Sequence, residues 1–136
     1  MNELDRSSKS QKDWIDEYVK EVIKYHKIIK RVPEESKVQL IDLKSKQLVF
    51  IGKLAGEFAE QYKTIYAARK QAFAEAYLAA DKYKDAKAEL AVVELRKAEA
   101  QAFGNWKRWQ NALDTTREEI NAIKYKVRLD FADGNR

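Results

Sequence analysis

Residues 48–79 read LVFIGKLAGEFAEQYKTIYAARKQAFAEAYLA, and their periodicity decides the fold. Leu48, Ile51, Ala55, Phe58, Tyr62, Ile65, Arg69, Ala72, Ala76 and Ala79 recur at steps of three and four without a slip. That is a heptad seam, the signature of a helix packed lengthwise on a partner helix. Asp81-Lys82-Tyr83-Lys84-Asp85 interrupts the apolar pattern, with Asp85 a candidate N-cap, and a second seam follows. Its members are Ala88, Val92, Leu95, Glu99, Ala102, Trp106, Trp109, Leu113, Thr116, Ile120, Ile123 and Val127.

Folding the chain back near residue 84 pairs positions whose numbers sum to about 168. Ala76 then faces Val92, Ala72 faces Leu95, Ala55 faces Leu113 and Leu48 faces Ile120, while Phe58 and Tyr62 fall beside Trp109 and Trp106. The only charge in the first seam, Arg69, lands opposite the only charge in the second, Glu99. An uncompensated charge in a seam is costly, so their coincidence predicts an ion pair that fixes the register. The competing reading is that both snorkel to water independently near the hairpin tip.

Upstream, Ser10-Gln11-Lys12-Asp13 resembles a capping box, and Ile15, Tyr18 or Val19, Val22, His26 and Ile29 follow at helical steps. This helix stops at Arg31-Val32-Pro33, because proline disfavours the α region in the residue before it. Pro33 with Glu34 and Glu35 suits the first turn of the next helix. Residues 38–51 admit two readings, helix or two short strands around Lys44-Ser45-Lys46; helix is preferred, since a lone hairpin is marginal and no third strand joins it. Gly52 and Gly56 form a small-xxx-small pair suited to close helix packing, with the first helix as one partner. The sequence therefore predicts an all-α chain, a long antiparallel, coiled-coil-like helical hairpin with a packed N-terminal helix. Its expected helices cover about 11–31, 34–80 and 85–130 in one domain over 11–131, between a frayed N-terminus at 1–10 and a frayed C-terminus at 132–136.

Composition agrees: in 136 residues there are four glycines and one proline, too little punctuation for a β-rich fold. No stretch approaches the roughly 18 apolar residues of a membrane span, and residues 1–10 lack the apolar core of a signal peptide. A soluble protein of the cytoplasm, without membrane attachment, is expected. The absence of cysteine removes disulfides, thiolate metal sites and thiol nucleophiles together.

Catalytic chemistry has little to stand on. His26 is the only histidine and sits among apolar neighbours; no glycine-rich phosphate loop or serine elbow occurs, and Glu118-Glu119 diverge on a helix. A non-enzymatic protein with no cofactor and no metal is the expectation. Basic residues interleaved with aromatic ones are the stronger signal: Asn105-Trp106-Lys107-Arg108-Trp109, and Lys124-Tyr125-Lys126-Val127-Arg128. Helix one adds Lys20, Lys24, Lys27, Lys30 and Arg31. With a net charge of +5, this mixture suits a polyanion, and single-strand binders join such cations to rings on which bases stack. Trp106 and Trp109 are seam positions and read as core; Lys107 and Arg108 point outward on either reading, and they and Lys126 are candidate nucleic-acid contacts.

The segment Tyr62 to Tyr77 and the ending Asp114-Thr115-Thr116-Arg117-Glu118-Glu119-Ile120-Asn121-Ala122-Ile123-Lys124-Tyr125-Lys126-Val127-Arg128 resemble small basic all-helical accessory proteins of bacteriophages. Within these the recombination mediators of the T-even type are the nearest likeness, over about the last 80 residues. The resemblance implies a phage-encoded, ring-like homo-oligomer in the host cell cytoplasm that binds single-stranded DNA and helps load a strand-exchange protein. It carries Lys63, Arg69, Lys70, Arg117, Lys124 and Arg128 over as nucleic-acid contacts. The alternative is an adaptor or inhibitor that docks a helical face on a host or phage protein. Off-seam apolar residues, among them Val49, Phe50, Leu54, Tyr66, Phe73, Tyr77, Leu90, Val93 and Phe103, leave more apolar surface than monomers expose. Phe73 and Tyr77 are the expected oligomer interface.

Overall fold

The structure is a computed structural model that describes residues 8–134. Among these, 89% are helical and none is in a strand. The elements are α1 (Gln11–Lys30), α2 (Lys37–Ala79), α3 (Lys84–Ala91) and α4 (Val93–Gly134), and α2 packs against α4 as an antiparallel hairpin. Residues 38–51 are helical, which settles the one ambiguous segment. Part of the expected frayed N-terminus, residues 1–7, lies outside the described residues, as do residues 135–136.

Each helix end follows from local chemistry. The Ser10 hydroxyl accepts from the Asp13 amide at 3.2 Å, and the Asp13 carboxylate accepts from the Ser10 amide at 3.3 Å. This reciprocal box satisfies two of the amides that a helix start leaves unpaired. At the far end, Arg31 and Val32 donate to Ile28 and Ile29 at 3.0 and 3.1 Å, a tightening that closes α1 before Pro33. Pro33, Glu34 and Glu35 do not open α2. The Ser36 amide turns back to the Pro33 carbonyl at 3.0 Å, and the Ser36 carbonyl accepts the first α-type bond from Leu40 at 3.1 Å. The proline's preset φ thus serves a tight turn in place of a first helical turn.

At the other end of α2 the chain reverses through Tyr83, which adopts the left-handed conformation (φ 54°, ψ 42°). Tyr83, not Asp85, is the N-cap of α3; Asp85 sits in the first turn, where its charge still opposes the helix dipole. The expected helix 85–130 is divided at Val92 (φ −109°, ψ 10°), whose amide donates to Glu89 at 3.3 Å. Val92 is fully buried while the adjacent Val93 is 38% exposed. Beyond the break, α4 stays helical to Gly134, past the expected fraying point at 132.

The packing divides into two compact units. Residues 8–55 with 109–134 form the first and 56–108 the second. In the first unit α1 lies on the start of α2. Tyr18 and Tyr25 place their rings 6.3 and 6.2 Å from that of Phe50, and the Gln47 amide donates to the Val22 carbonyl at 3.1 Å. Trp14, Tyr18, Leu40, Ile51, Leu54, Ala55 and Ile120 are buried there. Phe50 and Leu54, expected to be uncovered, are respectively half-buried and fully buried; burial of Leu54 contributes about 1.5–3 kcal/mol. Gly52 faces Leu113 of α4, 3.5 Å from where its Cβ would lie, and not α1 as expected; Gly56 faces open space. Two ion pairs link α2 to α4 in this unit, Lys44–Glu119 at 2.7 Å and Lys37–Asp130 at 3.0 Å.

In the second unit the end of α2 packs on α3 and the start of α4, with Ala88, Val92 and Ala102 buried. The register is the one the seams predict. Arg69 Nε donates to Glu99 Oε2 and Arg69 Nη2 to Glu99 Oε1 at 3.4 Å, in a half-buried two-point pair. Tyr62 and Trp106 stand 5.6 Å apart, ring to ring.

Candidate nucleic-acid interface

In the second unit, residues 62, 66, 69, 73 and 77 lie within a narrow arc of α2, because steps of three and four return to one helix face. Four of the five are aromatic. Tyr62 stacks on Tyr66 at 6.1 Å, and Phe73 on Tyr77 at 6.4 Å with 21° between planes. From α4, Phe103 tilts against Tyr62 at 5.4 Å and meets Trp106 edge-on at 6.0 Å. Tyr66, Tyr77 and Phe103 are 36%, 38% and 44% exposed, so ring surface reaches solvent along the face.

Cations sit on these rings. The Lys70 Nζ lies 4.9 Å from the centre of Tyr66, the Lys107 Nζ 4.4 Å from that of Trp106 and 5.4 Å from Phe103, and the Lys84 Nζ 5.4 Å from Tyr77. Attraction to the ring quadrupole holds each charge beside an aromatic surface. Two shallow depressions, of about 320 and 310 Å³, open here. One is lined by Arg69, Lys70, Phe73, Glu89 and Arg96, the other by Tyr62, Arg96, Glu99, Ala100 and Phe103. Both carboxylates that line them are held by arginines: Glu99 by Arg69, and Glu89 by Arg96 at 3.1 Å. The hydrogen bond that Arg69 donates to Glu99 raises the Arg69 pKa above the ordinary guanidinium value, against the opposing pull of burial. The two depressions are therefore basic and aromatic, and the carboxylates that line them are held by arginines.

The structure gathers only part of the expected contact set here. Arg69, Lys70 and Lys107 belong to the face, but Arg69 is committed to Glu99 and serves the register first. Lys63 is exposed in a separate depression that it shares with Glu60. Arg108 is exposed and its guanidinium bonds Asn105, one helical step away from Lys107. Arg117, Lys124, Lys126 and Arg128 are exposed in the first unit. There Arg117, Lys124 and Arg128 fall on one line of α4, Lys126 points to the opposite side, and Arg117 lies 3.5 Å from Asp114. Phe73 and Tyr77, the expected oligomer contacts, sit within the aromatic stripe itself.

Arg96 and Lys84, which the sequence reading does not single out, also line this face, and Tyr66 and Phe103, read there as uncovered apolar surface, contribute rings to it. The signal was present in the off-seam aromatics spaced at helical steps on α2, which the seam argument treats only as surface awaiting a partner. Among the described residues, no three histidine, aspartate or glutamate side chains come together to hold a metal ion, and no helix is long and apolar enough to cross a membrane. No protein-family model matches the chain, and no curated protein or solved structure matches it either.

Proposed function

We propose that the protein is a non-enzymatic accessory protein that binds single-stranded nucleic acid on the aromatic and basic face of its second unit. The observation that carries this reading is the seating of Lys70, Lys84 and Lys107 beside exposed rings, next to depressions whose carboxylates, Glu89 and Glu99, are held by arginines. Bases released from a duplex stack on ring surfaces without sequence preference, and phosphates are met by the adjacent cations. Tyr62 to Tyr77 extends about 22 Å along α2, room for a few nucleotides, at the low end of the roughly 4–16 nucleotides that single-strand sites occupy.

A duplex hides its base faces, so it offers this surface phosphates alone. Preference for single strands follows. The likeness to phage recombination mediators gives the binding a setting, assembly of a strand-exchange protein on single-stranded DNA by a homo-oligomer of this chain. Fluorescence anisotropy with labelled single- and double-stranded oligonucleotides across a salt series tests the proposal. Binding that favours the single strand and weakens with salt is the expected result. Equal affinity for the two forms, or none for either, overturns it.

A further inference from the structure

The outer face of α1 presents a second charged surface in the first unit, independent of the aromatic face. Trp14, Tyr18 and Tyr25 turn α1 toward the core. Opposite them, Lys20, Lys24, Lys27 and Arg31 follow one another at steps of four, three and four, all exposed. They make a line about 16 Å long. Ile23 and Ile28 flank it on either side, 47% and 39% exposed, and the six side chains line one open depression of about 460 Å³.

Helix stability explains only part of this line. Lys27 and Arg31 complement the C-terminal dipole, but that effect fades within the last turn, before Lys24 and Lys20. Lys24 reaches Glu21 at 3.2 Å. Asp13 and Asp16 continue the line at its N-terminal end, where acid suits the dipole and Asp13 is used by the cap.

We infer that this face docks an acidic amphipathic helix of a partner protein. The order of side chains across the face decides between occupants. A helix that lies on a membrane carries its apolar residues in the centre and its cations at the edges; here the cations are central and the isoleucines lateral. A nucleic-acid strand would leave the isoleucines without use, since the depression offers no aromatic surface for a base. A partner helix with carboxylates at matching steps meets the central cations, while its flanking aliphatic side chains cover Ile23 and Ile28. Such charge patterning sets partner choice and orientation between paired helices.

The test uses a synthetic helical peptide with glutamate at four positions spaced four, three and four apart and leucine on both flanks, beside its Glu→Gln counterpart, titrated into the full-length protein. The acidic peptide binds and the glutamine peptide binds at least tenfold more weakly. The variant Lys24→Glu with Lys27→Glu loses the acidic peptide by at least tenfold and stays folded by circular dichroism, because these side chains lie opposite the core, with a melt lowered only by the lost Lys24–Glu21 pair and the lost dipole contact of Lys27. Ile23→Ser with Ile28→Ser weakens binding severalfold without changing its salt dependence. Substitution of Lys70 and Lys107 leaves peptide binding unchanged, which separates this face from the nucleic-acid reading. Failure of the acidic peptide to bind, or binding that survives the charge reversal, overturns the inference. So does a charge reversal whose main effect is on oligonucleotide affinity, on binding to phosphatidylserine vesicles, or on the oligomeric mass.

Discussion

Replacing Tyr66 by alanine and, separately, Lys70 and Lys107 by glutamine divides nucleic-acid binding into its two physical parts. Tyr66 is 36% exposed and carries no charge. If it stacks one base, its loss costs about 1–3 kcal/mol, or roughly 5- to 150-fold in Kd, at every salt concentration. The cations contribute through released counterions, with a slope of log affinity against log salt of about −0.7 per phosphate on single strands. Among the described residues, Lys70, Lys84 and Lys107 are cations of the face that no carboxylate holds, whereas Arg69 and Arg96 are paired. Three contacts give a slope near −2, and engagement of the two arginines brings it toward about −3.5. Lys70→Gln with Lys107→Gln should then flatten the slope by about 1.4, while Tyr66→Ala leaves it unchanged. Anisotropy with a labelled oligothymidine at four or more salt concentrations measures both quantities. The reasoning is refuted if Tyr66→Ala retains full affinity, or if the lysine substitutions shift affinity without altering the slope.

Arg69→Ala and Glu99→Ala are each expected to destabilise the hairpin, and the double variant to lose less than the sum, because removing one partner strands the other; additive urea midpoints would count against a register pair. Leu54→Ala, at a fully buried position, should cost about 2–5 kcal/mol, with a cooperative melt at lower temperature; a loss below about 1 kcal/mol would show that the first unit has a loosely packed core. Tyr83→Gly is expected to stabilise the fold by up to about 1 kcal/mol, since glycine adopts the left-handed conformation of the tip without steric cost; destabilisation in denaturant melts would mean that the exposed ring makes contacts the backbone gain cannot offset. Phe73→Ser with Tyr77→Ser should lower the mass by light scattering, if self-association uses the stripe, while circular dichroism stays unchanged. A monomer of 15.9 kDa before any substitution would remove assembly from the account.

The hairpin was legible because its information is periodic. A seam at steps of three and four is both the cause of lengthwise packing and the pattern visible in the sequence. Seam residues such as Ile51, Ala55, Val92, Ala102 and Ile120 are buried accordingly. Arg69 and Glu99 were legible for the same reason, since charges in an apolar seam stand out. Local backbone events were less so. The break at Val92 lies inside an unbroken seam, and the tight turn at Pro33 depends on whether Ser36 turns back to its carbonyl; neither is set by the period. The sequence shows the basic and aromatic residues but not how the fold groups them. Interleaving along the chain puts Trp106, Lys107, Arg108 and Trp109 together, but neighbours in sequence diverge by about 100° on a helix. The aromatic and basic face is assembled across the hairpin instead, from Tyr62 and Tyr66 on one helix and Phe103 and Lys107 on the other.

That cross-hairpin assembly makes the ion pairs part of the proposed binding face as well as of the fold. Glu89 and Glu99 line the face on which phosphates are proposed to lie, and either carboxylate unpaired would repel them. Arg69 and Arg96 cancel that repulsion while holding α2 and α4 in register and spanning the break at Val92. A phosphate drawn to the face competes with those carboxylates for the same guanidinium groups. The half-buried, two-point Arg69–Glu99 contact resists such exchange, because releasing it leaves Glu99 poorly solvated. Arg96–Glu89 is about half exposed on both sides and is worth little by itself, so Arg96 is the arginine that can turn to a bound strand. On the proposed function the two pairs divide by burial: Arg69–Glu99 keeps the register, and Arg96 is the arginine that a bound phosphate would draw away.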